Sequence, residues 1–237
     1  METVSYDPNT IGLLSEIIHP PAELEAAKVQ AIHNELYNSG PFSYQNFAVT
    51  HEGIQLSNPQ EAPNAISMVN FLPDRIQIRE ELGTVHVDDF CKKLDVILHI
   101  ACEKLSLPMI VAQQHVVRSL INSRNYADSR DFLAGVVCRL TPEALSSFER
   151  PAALFGMKLV FPQDEEHGDV HSLRIESFNQ DPRSVFIEDV ATYTIGVLPT
   201  DISPVAENMR ATYRFVREKA LGFIAGHDQP PGSGEIK

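Results

Sequence analysis

A chain of 237 residues, 43% hydrophobic and 22% charged, can bury a sizeable core as one large domain or two small ones. No run approaches the roughly 18 apolar residues of a membrane span, METVSYDPNT lacks the pattern of a secretory signal, and three cysteines without metal-ligand spacing fit a reducing cytoplasm. The 32 acidic against 19 basic residues, net −13, disfavour nucleic-acid binding, which needs a basic stripe to release counterions, and suit a basic protein partner.

In chain order, Ile11 to Ile18 reads as a short strand stopped by Pro20-Pro21. A helix is expected from Pro21 to Asn38, with Leu24, Ala27 or Lys28, Ala31 and Leu36 along its apolar side. Phe47 to Leu56, with His51-Glu52-Gly53 in its middle, predicts two strands and a tight turn, or one bent strand. Ile66–Leu72 and Arg75–Leu82 flank Pro73-Asp74. If Leu72 pairs with Arg75, Val69 and Phe71 share a face with Ile78 and Ile76, as in a half-buried antiparallel hairpin. From Asp88 to Leu105 the residues Phe90, Leu94, Ile97, Ala101 and Leu105 step by four and three, the clearest amphipathic helix in the chain.

The order then recurs. A strand is expected over Met109–Ile121, a helix over Asp128–Leu140, and a short helix behind Thr141-Pro142-Glu143, with Thr141 as its cap. Leu154–Phe161 is a strand, followed by the hairpin LRIESFNQDPRSVFIEDVATY, Leu173 to Tyr193. A last helix runs from Pro204 to about Ile224, capped by Ser203 and striped by Met209, Tyr213, Val216, Ala220 and Phe223. Residues 226–237, GHDQPPGSGEIK, read as a disordered tail.

Residues 1–107 and 108–225 thus each read strand, helix, antiparallel strands, helix. DRIQIREE at Asp74–Glu81 and RSVFIEDV at Arg183–Val190 sit at matching places: a proline beside the turn, apolar residues two apart, then an acidic pair. The fold class this implies is α+β, two similar halves joined in one curved antiparallel sheet covered by helices. Folds of the TATA-binding-protein type resemble that plan. ISMVNFLPDRIQIREE, VDDFCKKLDVIL and RIESFNQDPRSVFIED also resemble a sporadically distributed, functionally uncharacterised bacterial family of about this length, over Ile11 to Ile224. That resemblance implies a bacterial origin and supplies no activity, cofactor or site residue.

Catalytic motifs are missing: no phosphate-cradling glycine loop, no G-x-S-x-G and no H-E-x-x-H, and no cofactor is implied. Asp164 to His171 holds two histidines and four carboxylates, yet its place between two strands favours a solvated loop over a metal site. His99 reads as a helix-face residue, and His115 as part of an exposed edge strand, with a polar cavity as the alternative. Cys91, Cys102 and Cys138 read as structural thiols.

The remaining candidates lie on the hairpin. A loop over Asn179–Arg183 pairs Phe178 with Ser184, Glu176 with Phe186 and Arg174 with Glu188. Arg174, Glu176, Phe178, Arg183, Phe186 and Glu188, with Arg79 from the first hairpin, then form a charged and aromatic sheet face suited to a protein partner. Arg174 and Glu188 also suit a plain solvated ion pair. The expected function is a non-enzymatic interaction or regulatory module, with a homodimer as one form of that interaction. The alternative is a small-molecule site or enzyme in a cavity between sheet and helices, contacted by Gln113, His115 and Glu176.

Overall fold

The computed structural model describes Tyr6 and residues 9–230. Nine antiparallel strands form one curved, unclosed sheet in the order β2-β3-β4-β5-β1-β6-β9-β8-β7. They are β1 (Asn9–Ile18), β2 (Asn46–Val49), β3 (Ile54–Ser57), β4 (Ile66–Leu72), β5 (Arg75–Glu81), β6 (Ala112–Asn122), β7 (Gly156–Phe161), β8 (Asp169–Ser177) and β9 (Ser184–Tyr193). The long helices are α1 (Ala26–Ser39), α2 (Val87–Leu105) and α5 (Ser203–Arg214), with α2 packed between the other two.

Alternation along each strand sorts the side chains onto two faces. Toward the helices point Leu13 and Ile17 of β1, Val69 and Phe71 of β4, Ile76 and Ile78 of β5, and Ile175, Val185 and Ile187 of β8 and β9, all buried. Phe90, Leu94, Ile97 and Ala101 of α2 meet them, as the heptad-like spacing predicts, and Met209 and Val216 do so from the C-terminal helix. Each such side chain larger than alanine contributes about 1.5–3 kcal/mol by leaving water. The opposite face is polar and half-exposed, the usual division in an antiparallel sheet covered on one side.

Both expected hairpin registers are found: Leu72 opposes Arg75 and Val69 opposes Ile78, while Arg174 opposes Glu188 and Glu176 opposes Phe186. The order is arranged about the β1–β6 pair. β5 and β9 flank it, then β4 and β8, then β3 and β7, with β2 added on one side. DRIQIREE and RSVFIEDV fall on the two flanking strands, β5 and β9.

Several expectations need correction. Helix α1 starts at Ala26, because His19 N–H and Ala22 N–H bond to Asp74 and Pro73 carbonyls and hold the segment extended against the β4–β5 turn. Its buried stripe is Val29, Ile32 and Leu36, whereas Ala27 and Ala31 are exposed. The expected helix over 128–140 is one α-turn, α3 (Ser129–Asp131), and a π-helical turn over Phe132–Val137, ended by Arg139 at φ 54°. Thr141 caps α4 (Pro142–Ser146) as expected. Ser203 is not a cap; its hydroxyl donates to Asp201 Oδ1 at 2.7 Å. The last helix continues past α5 through a π-helical turn, Phe215–Ala220, into α6 (Leu221–His227).

Part of the expected tail belongs to the fold. Gly226 and His227 finish α6, and Asp228 is fully buried, accepting hydrogen bonds from Tyr6 Oη, Ser123 Oγ and the backbone N–H groups of Arg124 and Asn125. The rest of the expected tail, 231–237, lies outside the described residues.

Candidate functional site

Two polar systems lie on opposite faces of the sheet, and the acidic pairs of β5 and β9 feed both. Alternation sends Glu81 and Glu188 to the open face and their neighbours Glu80 and Asp189 inward.

On the open face the charges form one ladder. Arg79 Nε donates to Glu81 Oε1 at 3.0 Å, and Arg118 bridges Glu81 Oε2 at 3.0 Å and Glu188 Oε2 at 2.6 Å. Arg174 then meets Glu188 Oε1 at 3.0 Å and Glu176 Oε1 at 3.3 Å. Arg118 reaches across β1 to Glu81 because the residue between them is Gly12, paired with Glu81 on one side and Arg118 on the other. A Cβ there would stand 3.3 Å from the Cβ and Cδ of Arg118, so a larger side chain would crowd this crossing.

The aromatic pair of this face is covered by the protein itself. The Arg174 guanidinium carbon lies 5.0 Å from the Phe186 ring centre, and Phe178 stacks beside Phe186 at 6.3 Å and 17°. Phe186 is left 8% exposed. Arg79 and Arg174 are joined only through Glu81, Arg118 and Glu188. Arg183 stays apart, exposed in the turn 3.8 Å from Asp181. Glu81 and Arg118 were not among the expected residues; the alternation of β6 around Val117 was the signal that puts Arg118 on this face.

Beneath the helices lies the second system. His115 sits in a central strand with no exposure, which overturns the edge-strand reading, since β6 is paired on both sides. Ser15 Oγ–H donates to His115 Nδ1 at 2.8 Å, and Nε2–H donates to Gln113 Oε1 at 3.0 Å. Burial holds the ring neutral, pushing its pKa down to about 3. Gln113 is likewise unexposed, and its Nε2 has no partner among the described residues. Next to it, Tyr193 Oη shares a hydrogen bond with Thr212 Oγ1 at 3.2 Å, and burial pushes this phenol up to about 12.

His171 adjoins this chain of polar groups. Its Nδ1 is 2.7 Å from Asp189 Oδ2, its Nε2 is 3.3 Å from Asp169 Oδ2, and its ring stacks on Phe215 at 3.9 Å and 18°. Burial works against the charged imidazolium, but the Asp189 and Asp169 carboxylates together outweigh it and the pKa rises. Burial also raises Asp189. Phe215 opens the π-helical turn, whose wider coil faces β8 and β9 at this point. Two clefts flank the pair: one of about 460 Å³ at Gln113, Asp169, Tyr193 and Asn208, and one of about 570 Å³ at Phe161, His171 and Phe215.

Gln113 and His115 are thus brought together, while Glu176 lies on the other side of the sheet and cannot share a cavity with them. Over 164–171, Asp164 bonds exposed His167 at 2.8 Å in the loop, while His171, already in β8, turns inward. Among the described residues no group of three or more His, Cys, Asp or Glu side chains is placed to hold a metal ion. Cys91 and Cys102 are buried, and burial pushes the Cys91 thiol up to about 11. No described helix is long and apolar enough to cross a membrane.

No protein-family model and no curated protein matches the chain. Among solved structures it is similar to an aspartate kinase from Clostridium acetobutylicum, at 8% identity over 87% of this chain, with a TM-score of 0.23. The chain spans 33% of that kinase's length.

Proposed function

We propose that the chain is a binding module that takes a protein partner on the open face of its sheet. The observation that carries this reading is the continuous ladder from Arg79 to Glu176, on the face opposite the one that shares the core with α1, α2 and α5. Its charges are already fixed to one another, so a partner that extends the ladder orders few new side chains. Arg174 with Phe186 and Phe178 supplies the arginine and aromatic composition favoured at interface centres. A second copy of the chain is one partner that meets these requirements.

The test compares the wild type with two variants as bait, alongside light scattering for self-association. Arg174→Glu with Phe186→Ala breaks the platform, and Ser172→Arg adds bulk to the same face without removing a hydrogen bond. Loss of a captured protein or of the dimer in both variants, with unchanged circular dichroism, is the expected result. Capture and oligomeric state equal to wild type in both variants refute the reading.

A further inference from the structure

We infer that the cleft of about 460 Å³ at Gln113 is a binding site for a small organic ammonium that also carries an uncharged oxygen acceptor, the chemistry of an amino alcohol. The site stands apart from the sheet-face reading, because Gln113, Asp169 and Tyr193 all point to the helix side of the sheet.

Its first support is the orphaned end of Gln113. The amide oxygen is anchored on His115, which is anchored on Ser15, so the side chain cannot turn to find another partner. Gln113 lines the cleft, and its Nε2 end is fully buried and unpaired among the described residues. A buried amide donor without an acceptor is unfavourable, and a ligand oxygen placed there offsets that penalty. A donor held in one direction by two successive hydrogen bonds reads a specific acceptor with little loss of entropy on binding.

Charge decides the rest of the ligand. The ionisable acids lining the cleft are Asp169 and Asp201, and no lysine, arginine or histidine lines it. Asp201 Oδ1 is occupied by Ser203 N–H and Oγ–H, and Asp169 Oδ2 faces His171 Nε2 at 3.3 Å. The His171 ring is held from its other side by Asp189 at 2.7 Å, so Asp169 keeps capacity for a cation in the cleft. A carboxylate or phosphate ligand meets two acids, whereas an ammonium group gains from both; an ammonium also needs such a partner before it can leave water. Ile195, Val197, Leu198 and Pro204 supply an apolar wall for the ligand's carbon body.

The experiment is calorimetric titration of the full chain with phenylalaninol and leucinol as probes. Phenylalanine (carboxylate in place of the alcohol) and 3-phenylpropan-1-ol (no amine) are the comparison compounds. The expected result is saturable binding of the amino alcohols, at least tenfold weaker with either comparison compound. Gln113→Leu and Asp169→Asn are each expected to weaken it tenfold or more, and Asp201→Asn, in an exposed loop, to weaken it without touching the core. Circular dichroism identifies any variant that has lost its fold, in which case Asp201→Asn decides. The proposal is overturned if neither amino alcohol binds below about 10 mM. It is equally overturned by a preference for phenylalanine or 3-phenylpropan-1-ol, or by folded variants that bind as the wild type does. None of these results touches the sheet face, so the two readings fail separately.

Discussion

Acidification from pH 8 to pH 5 isolates the energetic effect of burying His115. In the folded chain the ring is unexposed and neutral, with its pKa pushed down from 6.5 to about 3 by burial. The unfolded chain takes up the proton near 6.5 and the folded one does not until about 3. A depressed histidine pKa therefore contributes stability that is present above 6.5 and is lost as pH falls toward 3. At 1.36 kcal/mol per pH unit, the 1.5 units between 6.5 and 5 remove about 2 kcal/mol. His171 acts in the opposite sense: its pKa is raised, so its contribution is present at low pH and lost as pH climbs through the folded value. The comparison must therefore be between the wild type and His115→Gln, which keeps a polar side chain at the position and cannot titrate. With no tryptophan in the chain, far-ultraviolet circular dichroism is the probe for urea unfolding at pH 8, 7, 6 and 5. The stability difference between the two proteins is expected to shrink by about 2 kcal/mol on acidification. Parallel pH profiles refute the reasoning, because a ring reached by solvent in the native state would take up its proton in both states.

Three further outcomes follow from buried groups. Lys93 and Glu80 pair at 7% and 6% exposure, so Lys93→Met is expected to destabilise by about 3–5 kcal/mol in urea, with most of the loss recovered when Glu80→Met is added; an additive double variant refutes the pairing. Asp228→Ala, which strips a buried acceptor from five donors, should cost about 2–4 kcal/mol and raise amide exchange at Arg124 and Asn125, and unchanged exchange would place the C-terminal anchor elsewhere. Thiol labelling of the native chain should reach Cys138 alone and all three cysteines in urea, since Cys91 and Cys102 are buried with raised pKa values; fast native labelling at either buried thiol contradicts their placement.

How far the sequence reveals this molecule depends on how local each signal is. Hairpin registers were legible because a two-residue alternation and a short turn leave one arrangement that buries Ile76, Ile78, Ile175 and Ile187 together. Helix α2 was legible because its stripe is long and regular. Helix α1 was misplaced at its start because hydrogen bonds to a turn over fifty residues away hold residues 19–22 extended, and no local pattern records that. The π-helical turn at Phe132–Val137 was read as ordinary helix, since an apolar run carries no mark of the wider coil. His115 was read as an edge residue because Gln113, Gln114 and His115 look solvated in isolation. Their alternate members are buried only because β1 and β9 both pair with β6, and strand order is not written in any one strand. The open-face candidates were found from one hairpin's register; Arg118 and Glu81, which link them, come from strands brought together by tertiary pairing.

The pairing at the middle of the sheet also shapes the life of the chain before it is complete. Ser15 and His115 meet across β1 and β6 although 100 residues separate them. A ribosome adding about 5–20 residues per second needs on the order of 5–20 s to supply the strand that closes this seam. Once β5 has been made, β1 can pair with it on one side, but until β6 follows its other side is a long bare row of amides and carbonyls. The hydrogen bonds that weld the finished protein across its centre thus make the half-synthesised chain its most vulnerable form, open to any extended segment that arrives before β6.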